Sequence, residues 1–191
     1  MNETLKLALI LFLITAISAT VLAVSNNITA PQIAEADRLK DEQAKIEILP
    51  EGKEFRPLDE NKLNEIKTNF DNVLEIFEAY NGNDLVGYTI KTVVNGYGGE
   101  IEFLTGISTE GKIMGIKILN HGETPGLGDN ATKPAFTESF KNRSVDGEIT
   151  ASKNPSGDLE VQALTSATRT TNAILDGVNI ARQIYNEELA K

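Results

Sequence analysis

From Leu7 to Val24 the chain reads LALILFLITAISATVLAV, eighteen residues without a charge. As a helix this run is roughly 27 Å long, enough to cross the hydrocarbon core of a bilayer with little tilt. Lys6 precedes it, and no Lys or Arg follows until Arg38. The positive-inside rule then leaves residues 1–6 as a cytoplasmic tail, 7–24 as a transmembrane helix and the rest of the chain outside. A cleaved signal peptide with Val21-Leu22-Ala23 as its processing site is the competing reading, but the apolar run is long for one. Both readings deliver the body of the protein to the outer side of the membrane. NNITAP (Asn26–Pro31) reads as a polar break. After it Ile33, Ala36, Leu39, Ala44 and Ile46 recur loosely at helical spacing until Pro50-Glu51-Gly52 stops the pattern. Residues 25–50 are therefore expected to form a juxtamembrane helical linker, with 51–191 as one extracytoplasmic domain.

Within that domain the pattern changes twice. Asp59 to Tyr80 reads as a second polar helix, with Leu63, Ile66, Val73, Leu74 and Phe77 on its inner side. From Leu85 to Leu119 strand signals take over: LVGYTIKTVV, EIEFLTGIST and KIMGIKIL are rich in β-branched and aromatic residues. Thr109-Glu110-Gly111-Lys112 forms a hairpin loop between the last two. NGYGG, with Gly96, Gly98 and Gly99, reads as a turn or bulge; a G-x-G-x-x-G fingerprint would need its third glycine at Ile101. A short helix is expected around Phe136 and Phe140, and two short strands flank Asn154-Pro155-Ser156-Gly157 within residues 147–164. The chain closes on an amphipathic helix whose apolar positions are Ile174, Val178, Ala181 and Ile184 or Tyr185. Strands followed by flanking helices predict an α+β domain built on an antiparallel sheet.

Composition narrows the chemistry. The net charge of −10 and the lack of a Lys/Arg cluster argue against a nucleic-acid partner. Without cysteine the chain can form no disulfide, hold no iron–sulfur cluster by thiolates and supply no thiol nucleophile. With a single histidine, a metal site is not expected. No G-x-S-x-G elbow is present, so a hydrolase arrangement is missing as well. Any redox group must be organic.

Two stretches carry chemistry. Leu164-Thr165-Ser166-Ala167-Thr168-Arg169-Thr170-Thr171 crowds hydroxyls at the start of the last helix. Helix N-termini present unpaired N–H groups and the positive end of the dipole, which suits a phosphate. Small Ser166 and Ala167 allow close approach, and Arg169 adds charge. Plain N-capping needs only one hydroxyl and is the bland alternative. The second stretch is HGETPGLGD, His121 to Asp129. Pro125 fixes its own φ and restrains Thr124, while Gly126 and Gly128 let the backbone, with Leu127 between them, coil against a planar ligand. Glu123 and Thr124 offer an acceptor and a hydroxyl. A solvent-exposed turn is the competing reading, and His121 alone carries no ligand assignment.

Taken in order, HxETPGLG and then, some forty residues on, a Ser/Thr-rich A-T motif resemble the FMN-binding domain of RnfG, the G subunit of the Rnf complex. They also resemble the C subunit of the sodium-pumping NADH:quinone reductase. The single N-terminal span, the Leu49-Pro50 junction, Gly98-Gly99 and GISTEGKIMGIKIL follow the same order, so the resemblance covers nearly the whole chain. It implies FMN joined through its phosphate to Thr168, preceded by Thr165, Ser166 and Ala167, with Thr170 and Thr171 near the phosphate. It places His121, Glu123, Thr124, Pro125, Gly126, Leu127 and Gly128 near the flavin. It further implies a flavin transferase that uses FAD, and integral-membrane flavin and iron–sulfur subunits as partners in the cell membrane. The complex would couple ferredoxin:NAD⁺ oxidoreduction to ion export, with this chain relaying electrons and turning over no substrate alone. Two positions depart from the family pattern: Ser166 stands where glycine is usual, and Gln162 where aspartate is frequent. The alternatives are the equivalent component of the quinone reductase and a cofactor-free anchored assembly or binding protein.

Overall fold

The computed structural model describes residues 2–190; Met1 and Lys191, the outer ends of the expected tail and domain, lie outside the described residues. By its contacts the chain divides into Met1–Asp41 and Glu42–Lys191.

Helix α1 runs unbroken from Glu3 to Ile48. The polar break expected at NNITAP is absent, and the two expected helices are one, with Pro31 inside it. A proline there removes one backbone hydrogen bond and crowds the preceding turn, at a cost of about 3 kcal/mol. No glycine lies between residues 3 and 48 to add a second breaker. The Thr29 hydroxyl donates to the Ser25 carbonyl at 3.0 Å, one of the local bonds that Thr forms inside helices. The large apolar side chains from Leu5 to Val24 are exposed throughout, as a lipid-facing surface requires.

The second unit is built on a six-stranded antiparallel sheet in the order β1-β2-β3-β4-β5-β6. Its strands are β1 (Glu54–Pro57), β2 (Val73–Asn81), β3 (Asp84–Asn95), β4 (Glu100–Ser108), β5 (Lys112–His121) and β6 (Arg143–Ser144). Helix α2 (Glu60–Asn69) joins β1 to β2, capped by Asp59, whose carboxylate accepts from the Asn61 and Lys62 amides at 3.1 and 3.2 Å. The helix expected to reach Tyr80 thus stops at Asn69, and Val73, Leu74 and Phe77 lie on a strand. The cause is a register shift between Val73 and Glu75 together with cover on both faces of the sheet. These bring Val73, Ile76 and Phe77 to spacings of three and four, which imitate a helix.

Helix α3 (Pro134–Thr137) is followed by a 3₁₀ turn at Glu138–Phe140, and Phe136 and Phe140 pack edge to face at 5.3 Å between centroids. Strands β7 (Thr150–Ser152) and β8 (Glu160–Gln162) flank the Asn154–Gly157 turn but pair in parallel. Helix α4 (Thr168–Ile184) lays Ile174, Val178, Ala181 and Ile184, all fully buried, across the face that carries Ile90, Phe103 and Ile107. Gly177 permits this approach: a Cβ there would lie 2.6 Å from Phe103 and 2.8 Å from Val94. The opposite face is covered by the end of α1, where Ala44 and Ile48 pack on Leu104. Gly106 leaves room for the Ile48 side chain.

Candidate functional site

Three segments meet at one end of the sheet: the β3–β4 turn at residues 96–99, the loop that follows β5, and the first turn of α4. Glu123 joins all three. Its Oε1 accepts from the Tyr97 amide at 2.7 Å and the Gly98 amide at 3.0 Å, and its Oε2 accepts from the Thr170 hydroxyl at 2.6 Å. The side chain is only 6% exposed. Burial pushes its pKa up, but the bonds from Thr170, Gly98 and Tyr97 outweigh this and, with a smaller contribution from His121, hold the carboxyl below the ordinary glutamate value. Glycines clear the space this clamp needs. A Cβ on Gly96 or Gly128 would collide with the Glu123 carboxylate, and one on Gly98 with the Gly122 carbonyl.

The start of α4 is not capped by a hydroxyl. Ala167 occupies the cap position and offers no side-chain bond. The Thr171 hydroxyl turns inward, donating to the Ala167 carbonyl and accepting from the Leu164 amide, and Thr170 is committed to Glu123. Thr165, Ser166, Thr168 and Arg169 are exposed. Ser166 has φ +60°, the left-handed region in which glycine is favoured. Gln162, on β8, donates to the carbonyls of Lys153 and Ala163.

A cavity of about 420 Å³ opens between the loop and the helix start, within the range usual for small-molecule sites. The loop contributes Glu123, Thr124, Leu127 and Gly128; the helix start contributes Ser166, Ala167, Thr168, Arg169 and Thr170. The two motifs separated by some forty residues therefore share one cavity. Five of the expected residues stand back from its wall. Thr171 is buried, Thr165 is exposed away from it, and Pro125 and Gly126 shape the loop, Gly126 with φ +77°. His121 supports the loop from β5: its Nδ1 accepts the Glu123 amide at 3.2 Å, and its Nε2 lies 3.6 Å from Asp129. The hydroxyls of Thr170 and Thr171 are both engaged inside the protein, Thr170 on Glu123 at the cavity wall and Thr171 on the backbone behind it.

Sequence reasoning misses Tyr97. It lines the same cavity from the β3–β4 turn and is 70% exposed. The one signal for it is an aromatic residue set among the glycines of NGYGG. That segment is the expected turn, and it is also a wall of the site.

These residues suit a phosphorylated planar group such as FMN. The uncapped helix start has first-turn amides to offer a phosphate, the Thr168 hydroxyl is exposed beside them, and Tyr97 and Leu127 supply apolar surface. Among the described residues there is no cluster of metal-binding side chains.

Residues 96–183 match the family model described as the FMN-binding domain. Over 188 aligned residues the chain is 36% identical to the G subunit of the Na⁺-translocating ferredoxin:NAD⁺ oxidoreductase complex of Acetobacterium woodii, covering 94% of this chain and 90% of that one. It is 29% identical to the G subunit of the ion-translocating oxidoreductase complex of Methanosarcina acetivorans, covering 94% and 93%. Among solved structures, the C subunit of the Na⁺-translocating NADH-quinone reductase of Parabacteroides distasonis superposes with a TM-score of 0.58 at 20% identity, covering 73% of this chain and 79% of that one. The last comparison establishes a common fold.

Proposed function

Because this chain belongs to the RnfG family, the G subunits of ion-translocating oxidoreductases, we propose that it carries electrons within such a complex, through FMN bound by a phosphoester to Thr168. The carrying observation is that exposed Thr168 stands at an uncapped helix start on the wall of the cavity. When bound, FMN supplies one- and two-electron transfer. The remaining roles fall to the chain. The amides of the first turn of α4 hold phosphate oxygens, Arg169 adds positive charge, and Glu123 fixes the loop and the β3–β4 turn against the helix.

Attachment is a substitution at phosphorus with no change of oxidation state. Thr168 would supply the oxygen that displaces AMP from the FMN-side phosphorus of FAD, and its hydroxyl proton would pass to a base. Glu123 is committed to three internal bonds, and no histidine or cysteine stands beside Thr168 in sequence. The base is therefore assigned to a separate flavin transferase. The apolar helix anchors the chain in the cell membrane with its N-terminus in the cytoplasm, and other flavin and iron–sulfur subunits of the complex are its electron partners.

The test is co-expression with a flavin transferase, flavin fluorescence of the denatured band, and the mass of the tryptic peptide 154–169. The expected result is a fluorescent band and a peptide heavier by FMN less one water, both lost in Thr168→Val. A dark band with an unmodified peptide would favour the cofactor-free assembly role instead.

A further inference from the structure

Outside α1, two large apolar side chains are exposed among the described residues, Tyr97 at 70% and Leu127 at 43%, and both line the cavity. A folded domain this well packed leaves few such groups in water, and their coincidence at one cavity marks a contact surface. Tyr97 is also held more firmly than an exposed turn residue needs. Its own amide and that of Gly98 are both bound to the buried carboxylate of Glu123. Gly96 and Gly98 have no room for side chains, because a Cβ would strike Glu123 or the Gly122 carbonyl. The turn is therefore fixed to the same group that binds the start of α4 through Thr170. The ring is exposed, yet its backbone is tied to the helix that carries Thr168.

We propose that Tyr97 is the side chain on which the flavin ring stacks, with Leu127 as a second apolar contact and Glu123 as the positioning residue that holds the turn in place. The proposal rests on FMN being linked to Thr168. A planar ring tethered at the helix start has Tyr97 as the aromatic surface of the cavity, and offset stacking is the favoured arrangement of two such rings. A tethered ring without a stacking surface would sample water; the tyrosine restricts it to one pose. Glu123 also lines the cavity, but its bonds go to the Tyr97 and Gly98 amides and to Thr170, so its part is to hold the turn.

The chain has four tyrosines and no tryptophan, which makes the test specific. Tyr88 and Tyr185 pack against each other in the core, and Tyr80 lies on β2. A stacked phenol quenches flavin fluorescence by donating an electron to the excited ring, whereas leucine does not. The full-length flavinylated protein is purified in detergent, and peptide mass establishes the FMN load of each variant. Tyr97→Leu is expected to keep the full load while native-state flavin fluorescence rises severalfold and the visible band moves toward that of free FMN. Tyr97→Phe is expected to keep the wild-type band shape, because the stacking ring remains. Glu123→Gln is expected to raise fluorescence partly, through a loosened turn. Unchanged fluorescence and absorption in Tyr97→Leu at equal load would overturn the stacking assignment and leave the attachment standing. A wild-type peptide without FMN would overturn both.

Discussion

Among single residues, the site is decided by which hydroxyls are already engaged. Thr170 and Thr168 are two positions apart, but Thr170 is buried and donates to Glu123 while Thr168 is exposed. Thr170→Val strands a buried carboxylate oxygen and is expected to cost about 1–3 kcal/mol. Thr168→Val, at an exposed position, is expected to stay within about 0.5 kcal/mol. Thermal unfolding of the unmodified chain separates the two. Glu123 adds a pH dependence whose sign follows from its lowered pKa: protons bind the unfolded chain more readily, so its contribution is complete above the unfolded value of about 4.3 and fades as pH falls through the lower folded value. The stability gap between wild type and Glu123→Gln is thus expected to be full at pH 7 and to close in acid; a gap that widened in acid would refute this. At Ser166 the φ of +60° lies in the left-handed region that favours glycine. A left-handed residue with a Cβ costs roughly 1–2 kcal/mol, partly offset by the greater freedom glycine has when unfolded. Ser166→Gly is therefore expected to raise the unfolding midpoint slightly and to leave flavinylation intact.

Among the elements, α4 holds both the core and the site, and Gly177 sets how closely it packs on the sheet. Gly177→Ala adds one methyl against Phe103 and Val94. Overpacking of this kind costs typically 1–3 kcal/mol, against the gain in helix propensity of about 1 kcal/mol that alanine brings elsewhere. A net loss of stability is expected in denaturant titration, and a net gain would mean that the helix shifts freely. Element identity is legible where the pattern has one cause. The apolar face of α4 keeps helical spacing, and β3, β4 and β5 are dense in β-branched and aromatic residues. The pattern misleads at β2, where a bulge and two-sided burial produce helical spacing on a strand. It misleads again at NNITAP, where local breaker residues are outweighed by helix on both sides.

For the molecule as a whole, the apolar helix is long enough to cross a membrane, and the proposed orientation puts the folded unit outside. Since the sequence holds no cysteine, Ser156→Cys creates a single thiol in the exposed β7–β8 connection. A membrane-impermeant maleimide applied to intact cells is expected to label it. Protection until lysis would reverse the orientation. The folded unit itself is closed on both faces of its sheet, by α4 on one side and by the end of α1 on the other. This explains why residues 42–48, expected as linker, count among the contacts of the second unit.

The membrane-length helix, the antiparallel α+β class, the final amphipathic helix and the two motifs are all written in local spacing and side-chain chemistry, and residue order alone is enough to read them. Their combination is a product of folding. It brings Glu123, Thr124, Leu127 and Gly128 together with residues 166–170 at one cavity, sets Tyr97 on its wall and turns Thr170 and Thr171 inward. The hydrogen bonds of Glu123 to Tyr97, 26 residues away, and to Thr170, 47 residues away, depend on sheet register and helix packing. Local pattern carries no record of such distances.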